Sequence, residues 1–585
     1  MKSTRTTNSD PDGGSTVDAG TSAESEAAGT GDPGEAAVPE DAADAAESGD
    51  SGESGDSGEA SRVNRATGVV AGATLLSRIL GYVRDMVMAY FFGAGLAADA
   101  FIAAFRIPNL LRRLFGEGSL SIAFVPVFSA TLSRKGRREA YALAGAAMGL
   151  LSLVVVAVAV LGVLASPLII RLVAPGFVDE PAKLALTVLL TRIMFPYICF
   201  VALVALCMGI LNVLGHFAAP ALAPVFLNLA MIASIFVAAR ISPDPTVRII
   251  GLSVGVLIGG FLQLLLQVPP LVKKGLRFWR ELRLFHPDLK QVGRLMLPTI
   301  FGAAVYQINI LVGTLLASLL PEGSVSYLYY ADRLVQFPLG IFAIALATAV
   351  LPSLSRQAAE ENLSGLVSTF RHALRLVLFI TVPAMVGLIL LREPIVTLLF
   401  QRGDFDPATT RLTAVALLYY GLGLWAFAAV RILVSTFYAL QDTRTPVVTA
   451  TVAIAANIVM GVVLMRPLAH GGLALATALS SMLNLGLLVV ALRRRLGALG
   501  WRAIAFSAAK TLLAAALMGV VIQLGSHWLV PVVSGSSWGL LMGLGGLILL
   551  GGALYMALAK LLGMPEVGDV LEIVGRRTRR PRGRN

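Results

Sequence analysis

The sequence predicts an all-α polytopic membrane protein of about fourteen transmembrane helices, built as two pseudo-symmetric six-helix lobes plus a C-terminal helix pair. Composition is the first reason. Of 585 residues, 56% are apolar and 14% charged, with a mean hydropathy of +0.78, against about 25% charged for a soluble domain. Hydropathy patterning is the second. It marks fourteen segments, each able to cross about 30 Å of hydrocarbon. An internal repeat is the third.

The segments run in order 66–92, 97–131, 139–173, 183–214, 218–241, 247–273, 289–320, 324–357, 363–398, 408–440, 444–466, 469–495, 501–530 and 537–563. Several exceed the length a crossing needs, so tilts and kinks are expected. Pro108, Pro196, Pro338 and Pro383 fall inside segments, where proline marks kinks beside cavities.

In the repeat, three landmarks recur at one offset. Pro126 matches Pro352, Pro181 matches Pro407, and Pro220 matches Pro446, each pair 226 residues apart with similar flanks. The offset contains six segments, an even number, so the halves share one orientation and are related by an axis along the membrane normal. The expected organisation is an acidic tail at 1–62, an N-lobe at 63–286, a C-lobe at 287–497, accessory helices at 498–565 and a basic tail at 566–585.

Residues 1–60 hold fifteen acids and two bases, and the rest of the chain carries a net +25. The tail lacks large apolar residues and reads as a disordered, solvated segment. The turns at 133–139, 273–290 and 493–495 and the C-terminus are rich in Lys and Arg, whereas the intervening turns are poor in them. Both termini are therefore expected in the cytoplasm. The basic C-terminus suits an anionic inner leaflet; without interleaved aromatics or a folded module it does not suit nucleic acid. Cys199 and Cys207 lie eight apart in one apolar segment and read as free thiols.

Residues 77–126 carry charges that lipid would not tolerate: Arg78, Arg84, Asp85, Asp99, Arg106, Arg112, Arg113 and Glu117. An Arg at mid-bilayer costs roughly 3 kcal/mol, so these groups face a protein interior or a water-filled cavity. Arg78 and Asp85 are seven apart, share a stripe and are placed to pair, with Arg84 aimed at another wall. The C-lobe adds Asp332, Arg333 and Arg431. Their excess of guanidinium predicts an anionic guest, since the planar fork matches phosphate oxygens. The plainer reading pairs Arg113 with Glu117 on one helix face, lets Arg112 and Arg113 snorkel, and makes Asp332–Arg333 and Arg431 locks between helices. There is no Walker loop, dinucleotide fingerprint or Cys/His metal pattern and no catalytic cluster, so a transporter is expected and an enzyme is not.

At these motifs the sequence resembles the MurJ/MviN family of lipid II flippases, within the multidrug/oligosaccharidyl-lipid/polysaccharide exporter superfamily. The matching stretches are SRILGYVRD (77–85), FGAGLAADAF (92–101), FRIPNLLRRLFGEG (105–118), FVPVFS (124–129), APGF (174–177), YYADRLVQFP (329–338) and QDTRTP (441–446). The resemblance runs from about Arg65 through the fourteenth segment. It implies a fourteen-helix fold that moves lipid II, an undecaprenyl-diphosphate-linked peptidoglycan precursor, to the outer leaflet of the bacterial inner membrane by alternating access. It also implies a lipid-tail groove at the last two helices and carries diphosphate-binding roles onto Arg78, Arg84, Arg112 and Arg333.

Asp85, Asp99, Asp332 and Arg431 are the expected gating or charge partners, with the acids resetting the empty arginines. Gln336 departs from the family's frequent acid. No cofactor is expected, only the membrane potential or an ion gradient as driver; the expected partners are lipid II, membrane lipids and cell-wall synthesis proteins. The rivals are a flippase for another polyprenyl-diphosphate saccharide and a drug/cation antiporter. An antiporter calls for a cavity dominated by acids, and here Arg dominates.

Overall fold

The structure, a computed structural model, describes residues 56–114, 120–277, 284–533 and 535–578. Most of the acidic tail, Glu117, the side chain of Arg113 and the last seven residues lie outside the described residues.

The described regular structure is helical. The N-terminal half comprises α1 (Asp56–Phe92), α2 (Leu96–Leu114), α3 (Leu120–Val173), α4 (Pro181–Met194), α5 (Tyr197–Val213), α6 (Ala218–Ile241) and α7 (Pro245–Lys273). The C-terminal half comprises α8 (Leu289–Ser318), α9 (Ser324–Pro338), a π-helical turn (Leu339–Ile344), α10 (Ala345–Ala359), α11 (Leu363–Leu390), α12 (Arg392–Phe400), α13 (Pro407–Leu422), α14 (Leu424–Ala439) and α15 (Arg444–Leu496). Then follow α16 (Trp501–Val533), α17 (Ser537–Leu561) and α18 (Glu566–Thr578).

All fourteen expected segments fall on these helices, singly or as pairs. By length and apolarity alone, nine described helices qualify to cross a membrane, or ten with the α13–α14 pair, which bends by 41°. The count is lower partly because two helices are very long. At 1.5 Å per residue, the 53 residues of α15 would span about 80 Å if straight. Yet Arg495 at its end bonds Asp442 just before its start at 2.7 Å, so α15 doubles back, at the non-helical Ala469. The 54-residue α3 breaks at Gly136, inside the basic SRKGRRE turn. α1 and α2 carry intramembrane charges, among them Arg78, Arg84, Asp85, Asp99, Arg106 and Arg112, which lowers their apolarity.

Two of the four expected prolines sit at interruptions and two lie within helices. Pro196 separates α4 from α5, Pro338 opens the π turn, and Pro108 and Pro383 lie inside α2 and α11. The repeat also has a local counterpart. Pro181 and Pro407 each occupy the first turn of a helix, where a missing N–H costs nothing, and each of those helices is followed by a break.

Large apolar side chains such as Leu164, Leu172, Ile241 and Leu549 are 64–75% exposed, as lipid-facing groups are. Trp528 and Trp538 flank the turn between α16 and α17, 76% and 75% exposed, the placement of an interfacial aromatic belt. The first turns of α8 pack on the N-terminal half, with Val292 among Leu120, Phe124 and Phe128. Its far end meets α15, where Asn457 donates to Asn309. α8 thus leans on both halves.

Candidate functional site

The charged constellation assembles where α1 faces α9. Asp85 is 2% exposed and is shared between the halves. Arg84 grips its Oδ1 through Nη2 at 2.8 Å and Nε at 3.0 Å, and Arg333 approaches Oδ2 through Nε at 3.3 Å. The Tyr329 hydroxyl donates to the same Oδ1 at 3.0 Å, and Arg333 lies over the Tyr329 ring. Arg84 also reaches Asn228 on α6 at 3.0 Å, while Asn228 donates to the Ser77 carbonyl. Asn228 and Tyr329 carry no sign in the sequence that distinguishes them from packing residues; only the fold brings them to Arg84.

The stripe argument pairs Arg78 with Asp85 and turns Arg84 away. The structure overturns the second part of this, since Arg84 binds Asp85. Adjacent residues on a helix point about 100° apart, but the guanidinium stem is long enough to fold back onto the neighbouring carboxylate. Arg78 reaches the opposite half, where a Cβ on Gly340 would sit 2.9 Å from its Nη1. Gly340 lies in the π turn, a distortion often found at functional sites, and α14, which bears the half-buried Arg431, packs on that turn.

Arg112 holds Asn109, one turn earlier, through Nε and Nη2 at 3.0 and 2.9 Å. Gln336, the departure from the family pattern, donates to Asp332 at 3.1 Å.

Asp99 joins the two halves at the start of α9. Oδ2 accepts from Lys183 Nζ at 3.1 Å and from the Gly323 N–H at 2.8 Å; Oδ1 accepts from the Ser326 N–H at 3.0 Å and its hydroxyl at 2.7 Å. α9 starts after Gly323, which has no side chain to cap it. A carboxylate from the other half caps it instead, where the helix dipole favours negative charge.

Other contacts between the halves gather at the same end. Asp404 donates its N–H to the Tyr90 carbonyl, the Tyr330 hydroxyl donates to the Gly93 carbonyl, and the Gly176 N–H donates to Ser318 Oγ. Gly93 and Gly403 both have positive φ, and a Cβ on either would run into backbone of the opposite half, so only glycine permits this approach. The turns that meet here are the base-poor ones. The basic turns meet at the other end, where Lys135 and Thr131 bind Asp288 and Tyr141 bonds the Lys274 carbonyl. The halves are therefore closed together at the base-poor end, and the Arg84–Asp85–Arg333 bridge also joins them.

The family model described as "Lipid II flippase MurJ" matches residues 88–541. A chain of Vibrio cholerae named "Probable lipid II flippase MurJ" is 40% identical over 510 residues, 85% of this chain and 95% of that one. A "Lipid II flippase MurJ" of Burkholderia cenocepacia is 38% identical over 437 residues, 74% and 84% of the respective chains. Among solved structures, "Lipid II flippase MurJ, inward closed conformation" superposes with a TM-score of 0.71 at 28% identity, covering 84% of this chain and 98% of that one. A structure titled "Inward-facing conformation of a multidrug resistance MATE family transporter of the MOP superfamily" shares the fold at a TM-score of 0.61 and 14% identity, covering 72% of this chain and 95% of that one.

Proposed function

The chain belongs to the MurJ family of lipid II flippases, and we propose that it carries lipid II across the bacterial cytoplasmic membrane by alternating access between its two lobes. It is a multi-pass membrane transporter and not an enzyme. The observation that carries the mechanism is Asp85, buried and bridging Arg84 of one lobe to Arg333 of the other.

In this reading Asp85 is a placeholder anion. Without it, two guanidinium groups facing each other in a low dielectric would repel. A diphosphate carries more charge and more acceptor oxygens, so it displaces the carboxylate and recruits Arg84 and Arg333, with Arg78 and Arg112 as further ligands. The polyprenyl tail stays in lipid while the headgroup occupies the cavity. Separation of the lobes at the base-poor end then exposes the headgroup outside, and Asp85 reclaims the arginines once it has left. Asp332 and Arg431 line the C-lobe side of this path.

The basic ends, with both termini, face the cytoplasm. No cofactor is required. The membrane potential, worth about 2.3 kcal/mol per charge per 100 mV, or an ion gradient drives the cycle. Cell-wall synthesis proteins that consume lipid II outside are the fitting partners.

The test is the leaflet location of lipid II in cells depleted of this protein, read by an externally added lipid II-cleaving probe. Cleavable lipid II is expected to fall while total precursor rises, with wild type but not Arg78→Ala or Arg333→Ala restoring access. Unchanged access, with no second flippase present, sinks the reading and leaves another polyprenyl diphosphate as the cargo.

A further inference from the structure

Lys183 stands out among the buried charges that the transport reading leaves unused. It lies in the first turn of α4, is 2% exposed, and its Nζ is 3.1 Å from Asp99 and 4.4 Å from the centre of the Phe177 ring. Its second acid, Glu180, is half-exposed and 3.9 Å away.

The arrangement is asymmetric. Asp99 and Lys183 both belong to the N-lobe, on α2 and α4. The C-lobe contributes only neutral donors, the N–H groups of Gly323 and Ser326 and the Ser326 hydroxyl. When the lobes part, the ion pair stays whole on one side, and the other side exposes a helix N-terminus that water can satisfy. No lone charge is created at the moment of opening.

We infer that Lys183 is a positioning residue for transport: it is the counter-charge that lets Asp99 sit desolvated across the lobe interface and cap α9, so that the outer seal both closes and releases. Lys183 acts through Asp99 and need not touch substrate. The inference rests on the alternating-access reading and is independent of which lipid-linked substrate is carried.

The experiment measures the distance between spin labels at Val247 and Leu412, exposed positions near the sealed end of α7 and α13, in substrate-free protein with Cys199 and Cys207 replaced by Ala. Wild type and Lys183→Arg are expected to give one closed distribution. Lys183→Met leaves Asp99 buried and uncompensated, and D99N does the same to Lys183. Each is expected to shift the closed-to-open ratio by the order of a hundredfold toward longer distances, the scale of breaking a buried pair. The double variant D99N/K183M removes both charges, keeps an acceptor for α9, and is expected to close again.

The charge swap D99K/K183D is expected to stay open, because an ammonium group cannot accept from Gly323 and Ser326. A wild-type distribution in K183M overturns the inference, as does closure in the swap. If K183M does not accumulate, D99N is compared with the double variant, and identical distributions overturn it. Because no substrate is present, failure here leaves the lipid II assay standing, and failure there leaves these distances standing.

Discussion

At the scale of single residues, identity matters most where a planar cation meets two partners. Arg333 contacts Asp85 through Nε and Tyr329 through Nη2, a geometry the single ammonium of lysine does not reproduce. Arg333→Lys is therefore expected to fold normally yet lose at least about tenfold in transport, by analogy with the 1.5–3 kcal/mol of a charge-assisted hydrogen bond. Wild-type export by that variant, measured with the external lipid II-cleaving probe, would refute the role. The sequence marks Arg78, Arg84, Arg112 and Arg333 because charge inside an apolar segment demands an explanation. It does not mark Asn228, Tyr329 or Lys183. An amide or hydroxyl in a helix is ordinary, and a lysine at a helix end normally reaches water. Their long-range partners lie 84 to 245 residues away, where no local pattern can point.

Individual elements end where local chemistry ends them. Asp406 caps α13, its carboxylate accepting the Thr409 N–H at 2.7 Å, and backbone donation from Thr409 lowers its pKa below the ordinary 3.8. A depressed folded-state pKa contributes stability that is present above the unfolded value and is lost as pH falls through the folded value. Asp406→Ala is therefore expected to cost about 1 kcal/mol at neutral pH, with the gap to wild type closing as pH drops below 3.8. Thermal unfolding of both proteins in detergent from pH 7 to 3 checks this, and a gap that persists at acid pH contradicts it. The prolines, this cap and the Gly136 break in a basic turn lie in short-range sequence. The reversal at Ala469 falls on the first residue of an expected segment, beside the gap at 467–468, and is legible to within a few residues. The π turn is not, since Pro338 predicts a distortion without its type.

Across the whole molecule, two ends of opposite character organise function. Turns rich in Lys and Arg gather at one end, and the base-poor turns carrying Gly93, Gly176, Gly323 and Gly403 seal the other. Single cysteines at Lys135 and Arg495 are expected to react with a membrane-impermeant maleimide only after the cell is opened. A cysteine at Trp538 is expected to react from outside. Reversed labelling would invert the assigned orientation. The sequence by itself determined the membrane class and the helical segments and marked the intramembrane arginines, because each follows from hydropathy or the cost of charge in lipid. Only the tertiary structure decided that Asp85 joins Arg84 to Arg333 and that Asp99, backed by Lys183, caps a helix of the opposite lobe. Those pairings depend on which faces of distant helices meet, and Coulomb attraction acts between neighbours in space whatever their separation along the chain.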